Sequence, residues 1–197
     1  MSRPQQGVMI VVVGPSGAGK DSVIADALHR LEGRLAVTLV RRAITRPADA
    51  GGEAHEAMSP DDFRARDAQG GFAVAWQAHG LAYGIPAETI AACEEGQTLI
   101  ANGSRAVLAR FEAVYPRLAI VNIVARPDII AERLASRGRE SAAEIRRRLE
   151  RQVLECETRL GMTTIDNSGP LHEAGERLAE FVLSLSSTDG TGAASAR

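Results

Sequence analysis

Gly14-Pro15-Ser16-Gly17-Ala18-Gly19-Lys20-Asp21 has the spacing of a phosphate-binding loop, with a carboxylate at the last position, where that motif carries Ser or Thr. Ahead of it, Val8-Met9-Ile10-Val11-Val12-Val13 is a short, β-branched apolar run suited to a parallel strand buried on both faces. Behind it, Ser22-Val23-Ile24-Ala25-Asp26-Ala27-Leu28 and Leu31 repeat at helical spacing. Strand, glycine loop and helix thus stand in the order that a nucleotide phosphate site requires. The glycines at 14, 17 and 19 free the backbone so that consecutive amides can converge on one anion. A helix starting near Lys20 adds its positive dipole end, and Lys20 supplies a mobile charge for β- and γ-phosphates. Residues Gly14 to Lys20, with Asp21 and Ser22, are the expected nucleotide-binding segment.

The chain has 197 residues, 45% of them hydrophobic and 24% charged, a balance that suits one folded α/β domain rather than a disordered chain. A net charge of -2 argues against a general nucleic-acid binder. Cys93 and Cys156 are the only cysteines and form no CxxC pair, as expected of reduced thiols in a cytoplasmic protein. The first six residues are too short and polar for a signal peptide, and no apolar run reaches membrane length. Residues 186–197 are small, polar and without periodicity, as in a frayed tail.

Apolar runs at Ala36–Val40, Gln97–Ala101, Leu118–Val124 and Met162–Ile165 alternate with helical patterns at 86–95, 104–114, 127–137, 141–160 and 170–185. That alternation predicts a three-layer α/β fold around a parallel sheet. Pro127 with Asp128 opens one helix, and Ser141 with Glu144 forms a capping box for the next. Residues 42–86 break the pattern, being rich in Gly, Asp, Ala and Pro, with an extended piece at Phe72–Trp76 and a short helix after Ser59-Pro60. The expected organisation is one domain over 1–185, with core segments 7–41 and 87–185 and an insert at 42–86 that holds the second substrate. A lid is expected at about 137–143, where Arg137-Gly138-Arg139-Glu140 concentrates charge around a glycine.

Basic residues are clustered. Arg41, Arg42 and Arg46 follow the second apolar run, Arg105 follows the third, and Arg137, Arg139, Arg146, Arg147 and Arg148 lie in and beyond the expected lid. Phosphoryl transfer needs such guanidinium groups over the acceptor and the moving group; Arg146 and Arg147 read equally well as a solvated helix face. Asn102-Gly103-Ser104-Arg105 ends a strand at the sheet edge where ligands bind, and it is also a turn in which Ser104 would cap the next helix. Asp166–Pro170 ends the last strand, either bordering an adenine or simply turning. His55 and His79 could touch a polar substrate, whereas His29 and His172 read as surface residues. Trp76 and Tyr83 read as packing residues first, with the Tyr hydroxyl free to bond a phosphate.

With these pieces placed, the chain resembles the guanylate-kinase-like P-loop kinases over nearly its whole length. The resemblance is carried by the loop to Lys20, Thr45-Arg46-Pro47, Tyr83-Gly84, Arg137-Gly138 and Arg148-Leu149. Within that superfamily it is most similar to the ribose 1,5-bisphosphate phosphokinases, through Gly17–Ser22, Ile44–Pro47, Gly51-Gly52-Glu53, Asn102–Arg105 and Arg137–Glu140. The resemblance implies a P-loop NTPase fold, ATP as donor and a small sugar phosphate as acceptor, with a phosphoribosyl diphosphate product in phosphonate breakdown. It also implies roles for residues: Lys20 and the loop amides on the donor, Arg42, Arg46, Tyr83, Ser104 and Arg105 on the acceptor, and Arg137, Arg139 and Arg148 over the transferring group.

Departures from guanylate kinase decide the acceptor. That enzyme reads guanine with a Glu, a Ser and an Asp; the corresponding places here hold Val74, Ile85 and Asn102. A site stripped of its hydrogen-bonding partners loses its discrimination for a base. Asp21 is expected to ligate Mg²⁺, directly or through water, in place of the missing strand-end acid; the rival arrangement makes Ser22 the ligand and turns Asp21 away. Guanylate kinase or another nucleoside monophosphate kinase is the rival activity, and a non-catalytic binding module of the same fold is the rival class. An intact Lys20 and loop glycines argue against the module.

Overall fold

The computed structural model describes residues 7–48, 53–135 and 161–187. Its centre is β1, Met9–Val13, whose five residues are all fully buried. β-branched side chains on alternating faces suit such a position. Ile10 and Val12 pack with Val23, Ala27 and Leu31 of α1 (Lys20–Leu31) and with Leu178 and Val182 of the last helix. Met9, Val11 and Val13 pack on the other side with Leu99, Phe111, Val74, Trp76 and Ile85. One strand therefore joins two apolar cores, and the molecule is layered helix, sheet, helix as the alternation predicts.

The main sheet is parallel throughout, in the order β2 (Val37–Leu39), β7 (Thr98–Asn102), β1, β8 (Leu118–Val124), β9 (Met162–Asp166). Its helices are α1, α3 (Glu88–Glu94), α4 (Leu108–Val114), α5 (Pro127–Ala135) and α6 (Leu171–Ser187). Val12 pairs with Asn102 on one side and Val13 with Asn122 on the other. The carboxyl ends of three strands thus open beside the loop that leaves β1, the edge where parallel sheets bind ligands.

Residues between β2 and α3 form a second sheet, ordered β4 (Glu56–Ala57), β3 (Ala43–Ile44), β6 (Leu81–Pro86), β5 (Phe72–Ala78). Helix α2, Pro60–Ala68, begins where the sequence predicts, with the Ser59 side chain accepting from the Asp62 amide and Pro60 at the first turn. β5 and β6 are joined by a two-residue turn, His79-Gly80, with φ of 53° and 75°. Two successive left-handed residues match the right-handed twist of a hairpin.

The expected helix over 104–114 is divided: a 3-10 turn, Arg105–Val107, precedes α4. Ser104 makes no side-chain cap, contrary to the capping reading. The capping box at Ser141 and Glu144, the lid and Cys156 lie outside the described residues.

Phe111 is fully buried, stacks on Tyr115 at 6.1 Å between ring centroids and tilts against Trp76 at 6.4 Å. Phe111→Ala is expected to lower unfolding free energy by about 3–5 kcal/mol. Denaturant titration should show an earlier midpoint with an unchanged slope.

Candidate phosphate and acceptor site

The loop after β1 owes its course to glycine. Gly14 has φ of 146°, and a Cβ there would stand 2.1 Å from the Ile123 carbonyl oxygen of β8. Gly19 has φ of 87° and caps α1; a Cβ there would meet the Asn167 amide at 2.5 Å. Asn167, 2% exposed, follows β9 and donates from Nδ2 to the Ala18 carbonyl at 2.7 Å. Arg133 of α5 donates to the carbonyls of both Asn167 (3.0 Å) and Ala18 (3.4 Å). The turn at 166–170 thus braces the back of the loop, while Asp166 accepts from the Ser168 amide at 2.9 Å in a local turn.

Lys20, in the first turn of α1, curls back to donate to the carbonyls of Gly14 (2.9 Å) and Pro15 (3.1 Å). Burial pulls its ammonium down to about 8, against the Asp21 carboxylate, which favours the charge; the nearby Arg42 and Arg105 lower it further. Loss of solvent is therefore the main reason this lysine titrates close to neutrality.

An open cavity of about 490 Å³ lies over the loop, and its lining includes Gly14, Pro15, Ser16, Lys20, Arg42, Trp76, His79, Tyr83, Ser104 and Arg105. The structure thus brings Arg42, Tyr83, Ser104 and Arg105 together with the phosphate loop, as the sequence predicts. Trp76 and Tyr83 are cross-strand neighbours, stacked at 5.3 Å and 9° between planes. The Arg42 guanidinium lies across both rings, 5.5 Å and 5.2 Å from their centroids. These aromatics are packing residues and cavity wall at once. Arg105 donates to Asn122 Oδ1 at 2.7 Å. The Nε atoms of Arg42 and Arg105 are buried with no hydrogen-bond partner among the described residues. Donor capacity left unspent beside a cavity is what an anion would use.

The remaining sequence-predicted residues fall elsewhere. Arg46 lines a neighbouring cavity of about 400 Å³ with Thr45, Pro47 and Met58. Ser22 is exposed on the first turn of α1. Arg137, Arg139 and Arg148 lie outside the described residues. His55 differs from expectation: it is 3% exposed and fully occupied by backbone and arginine. Its Nε2 donates to the Arg46 carbonyl at 3.1 Å, and its Nδ1 lies 3.2 Å from the Arg46 guanidinium and 3.0 Å from the Glu53 carbonyl. A ring so engaged pins a loop and cannot reach a substrate.

Two residues join the site that sequence reasoning did not assign to it. Glu53 pairs with Arg42 and accepts from Asn102 Nδ2 at 3.4 Å. Asn102, 5% exposed, also donates to Asp21, while its own Oδ1 is buried without a hydrogen-bond partner among the described residues. The only sequence signal for Glu53 was membership in Gly51-Gly52-Glu53, whereas Asn102 was also marked as ending a strand at the ligand-binding edge, in the place of an acid. Val74 and Ile85 pair across β5 and β6 and are buried in the core, outside the cavity lining. No group there presents a hydrogen bond to a base.

No family model matches the chain. Among curated proteins, it is 51% identical over 174 residues to the ribose 1,5-bisphosphate phosphokinase PhnN of Agrobacterium fabrum, covering 88% of this chain and 95% of that one. It is 46% identical over 181 residues to the protein of the same name from Rhizobium etli, covering 92% of each. Among solved structures, guanylate kinase from Anaplasma phagocytophilum superposes with a TM-score of 0.69 at 16% identity, covering 92% of this chain and 87% of that one. A sugar kinase from Janibacter sp. HTCC2649 superposes with a TM-score of 0.52, also at 16% identity, covering 89% of this chain and 94% of that one. At such identities the likeness shows the fold alone, a three-layer α/β architecture around a parallel sheet, whereas the curated relatives show kinship: the chain belongs to the ribose 1,5-bisphosphate phosphokinase family.

Proposed function

We propose that this chain transfers the γ-phosphoryl group of ATP to the 1-phosphate of ribose 1,5-bisphosphate, giving 5-phosphoribosyl 1-diphosphate and ADP. The observation that carries the reading is the cavity wall: Lys20, Arg42 and Arg105 converge on it, while the base-reading places hold buried Val74 and Ile85. Two guanidinium groups, from Arg42 and Arg105, and a hydroxyl from Ser104 suit a doubly phosphorylated acceptor without a base, with Lys20 left for the donor phosphates. The acceptor phosphate oxygen attacks the γ-phosphorus in line as the bond to the ADP oxygen breaks. No general base is required, because the attacking phosphate is already anionic near neutral pH.

In this reading Lys20 exchanges its two loop carbonyls for donor phosphate oxygens, Arg42, Tyr83, Ser104 and Arg105 hold the acceptor, and Arg46, which lines a separate cavity against His55, orders the insert to which it belongs instead of holding the acceptor. Arg137, Arg139 and Arg148 are assigned to the transferring group on the resemblance alone. Among the described residues no helix is long and apolar enough to cross a membrane, and the reading places the enzyme in the cytosol with its nucleotide.

Magnesium fits the oxygen donors at the loop. Asp21 offers a carboxylate and Asn102 Oδ1 a buried, unspent carbonyl, and hard oxygen donors suit this ion. Bound there, it would neutralise charge between the donor phosphates. Asp21 thereby takes the place of the usual loop hydroxyl; Ser22 is exposed as Asp21 is, and it is the bond from Asn102 that ties Asp21 to the strand end.

Incubation with ATP and ribose 1,5-bisphosphate should yield 5-phosphoribosyl 1-diphosphate, detected directly, and GMP should be a poor acceptor; efficient GMP turnover would reverse the assignment. For Asp21→Ala, the Mg²⁺ concentration that half-saturates turnover should rise by about tenfold or more. Unchanged Mg²⁺ dependence and turnover would remove Asp21 from the metal site. The pH profile carries a third test. Lys20 is charged below about 8 and loses its proton as pH rises through that value. The kcat/KM for ATP, which reports the free enzyme, should therefore fall about tenfold between pH 7 and 9.

A further inference from the structure

The parallel pairing of β3 with β4 sets Ala43 beside Glu56, so the residues that enter these two strands share one edge. Arg42 enters β3, and its carbonyl accepts from the Glu56 amide at 2.8 Å. Glu53 enters the turn before β4, held by the contact of its carbonyl with the buried His55 ring at 3.0 Å. The pairing thus delivers the Glu53 carboxylate to the Arg42 guanidinium. Their side chains are 17% and 9% exposed, so the pair is largely withdrawn from water.

A buried guanidinium without a counter-charge is costly, and removing one partner of such a pair leaves the other uncompensated. Arg42 shares its cavity lining with two further cations, Lys20 and Arg105. The Arg42 guanidinium carbon lies 5.5 Å and 5.2 Å from the Trp76 and Tyr83 ring centroids, contacts that hold it near the rings without a directed bond to fix its place over them. Among the described residues, Glu53 supplies the ion pair that settles it. The other Glu53 oxygen accepts from Asn102, which in turn bonds Asp21. A single hydrogen-bonded chain therefore runs from Arg42 on the acceptor wall, through Glu53 and Asn102, to Asp21 on the phosphate loop.

We infer that Glu53 is a positioning residue for the acceptor: it holds Arg42 over the Trp76–Tyr83 pair, at a set distance from the phosphate loop, and contacts no substrate itself. This rests on the reading of the cavity as the acceptor site. It implies that the effect of Glu53 passes through Arg42, and that it acts on acceptor affinity far more than on ATP.

The test compares Glu53→Ala, Arg42→Ala and the double variant in the full chain. Glu53→Ala is expected to raise the KM for ribose 1,5-bisphosphate about tenfold, with the KM for ATP within about twofold of the parent. The double variant should stay close to Arg42→Ala, because the ion pair is already gone and only the 3.4 Å contact with Asn102 is left to lose. Trp76 is the single tryptophan of the chain, so acrylamide quenching of its emission reports the cover that Arg42 provides. Quenching should increase alike in Glu53→Ala and Arg42→Ala. Additive losses in the double variant, a parallel rise in both KM values, or parental quenching in Glu53→Ala would each overturn the inference. Glu53→Gln, which keeps the shape and one acceptor oxygen, should shift the same readings in the same direction by less, and it serves should the alanine variant fail to fold. Quenching needs no acceptor. Failure of the parent protein to phosphorylate ribose 1,5-bisphosphate would therefore sink the functional reading while the Glu53–Arg42 clamp is still judged on Trp76.

Discussion

Burial of β1 from both sides is the constraint on which the site hangs. Its alternating residues are committed to two separate cores, so the strand cannot slip by one position without exchanging the side chains each core receives. Where β1 ends is therefore where the glycine loop begins, beside the ends of β7 and β8. Gly14 passes against the β8 backbone and Gly19 against Asn167, approaches that a Cβ would block. Lys20 is delivered to the floor of the cleft by the same geometry, and its loss of solvent follows from it.

Charge organises what lies above the loop. Lys20, Arg42 and Arg105 face a cleft in which Asp21 and Glu53 supply the counter-charge in the absence of substrate. Such carboxylates limit the mutual repulsion of the cations and keep them poised for phosphates. The stacked Trp76 and Tyr83 give the cleft an aromatic wall, yet Arg42 already lies across it. That arrangement favours a small polyanion over a stacked base, in keeping with the buried Val74 and Ile85 where guanylate kinase carries base-reading groups.

Much of this was legible in the chain because it is local. The β1 run, the glycine spacing and the helical repeat after Lys20 act within about two dozen residues, and period and backbone freedom express them directly. The same holds for Ser59-Pro60 at α2 and for the parallel alternation. The insert was recognisable as an interruption, although its four-stranded order was not, since β3 and β4 are only two residues each and pair in parallel across a long turn.

What stayed hidden is long-range. Asn102 reaches Asp21 across 81 residues, Glu53 reaches Asn102 across 49, and Asn167 reaches Ala18 across 149. No periodicity or spacing rule encodes such pairs, because they arise only when separate strands end at one edge. His55 shows the same limit: a polar histidine in a loop reads as a substrate contact until the fold closes backbone around both ring nitrogens. Residue order was thus sufficient for the phosphate loop and its strand and helix, whose physics is contained in adjacent residues. The proposed acceptor wall, with Arg42 beside the Trp76 and Tyr83 rings and paired with Glu53, came into being through packing, because its charges and rings meet only once two sheets are assembled.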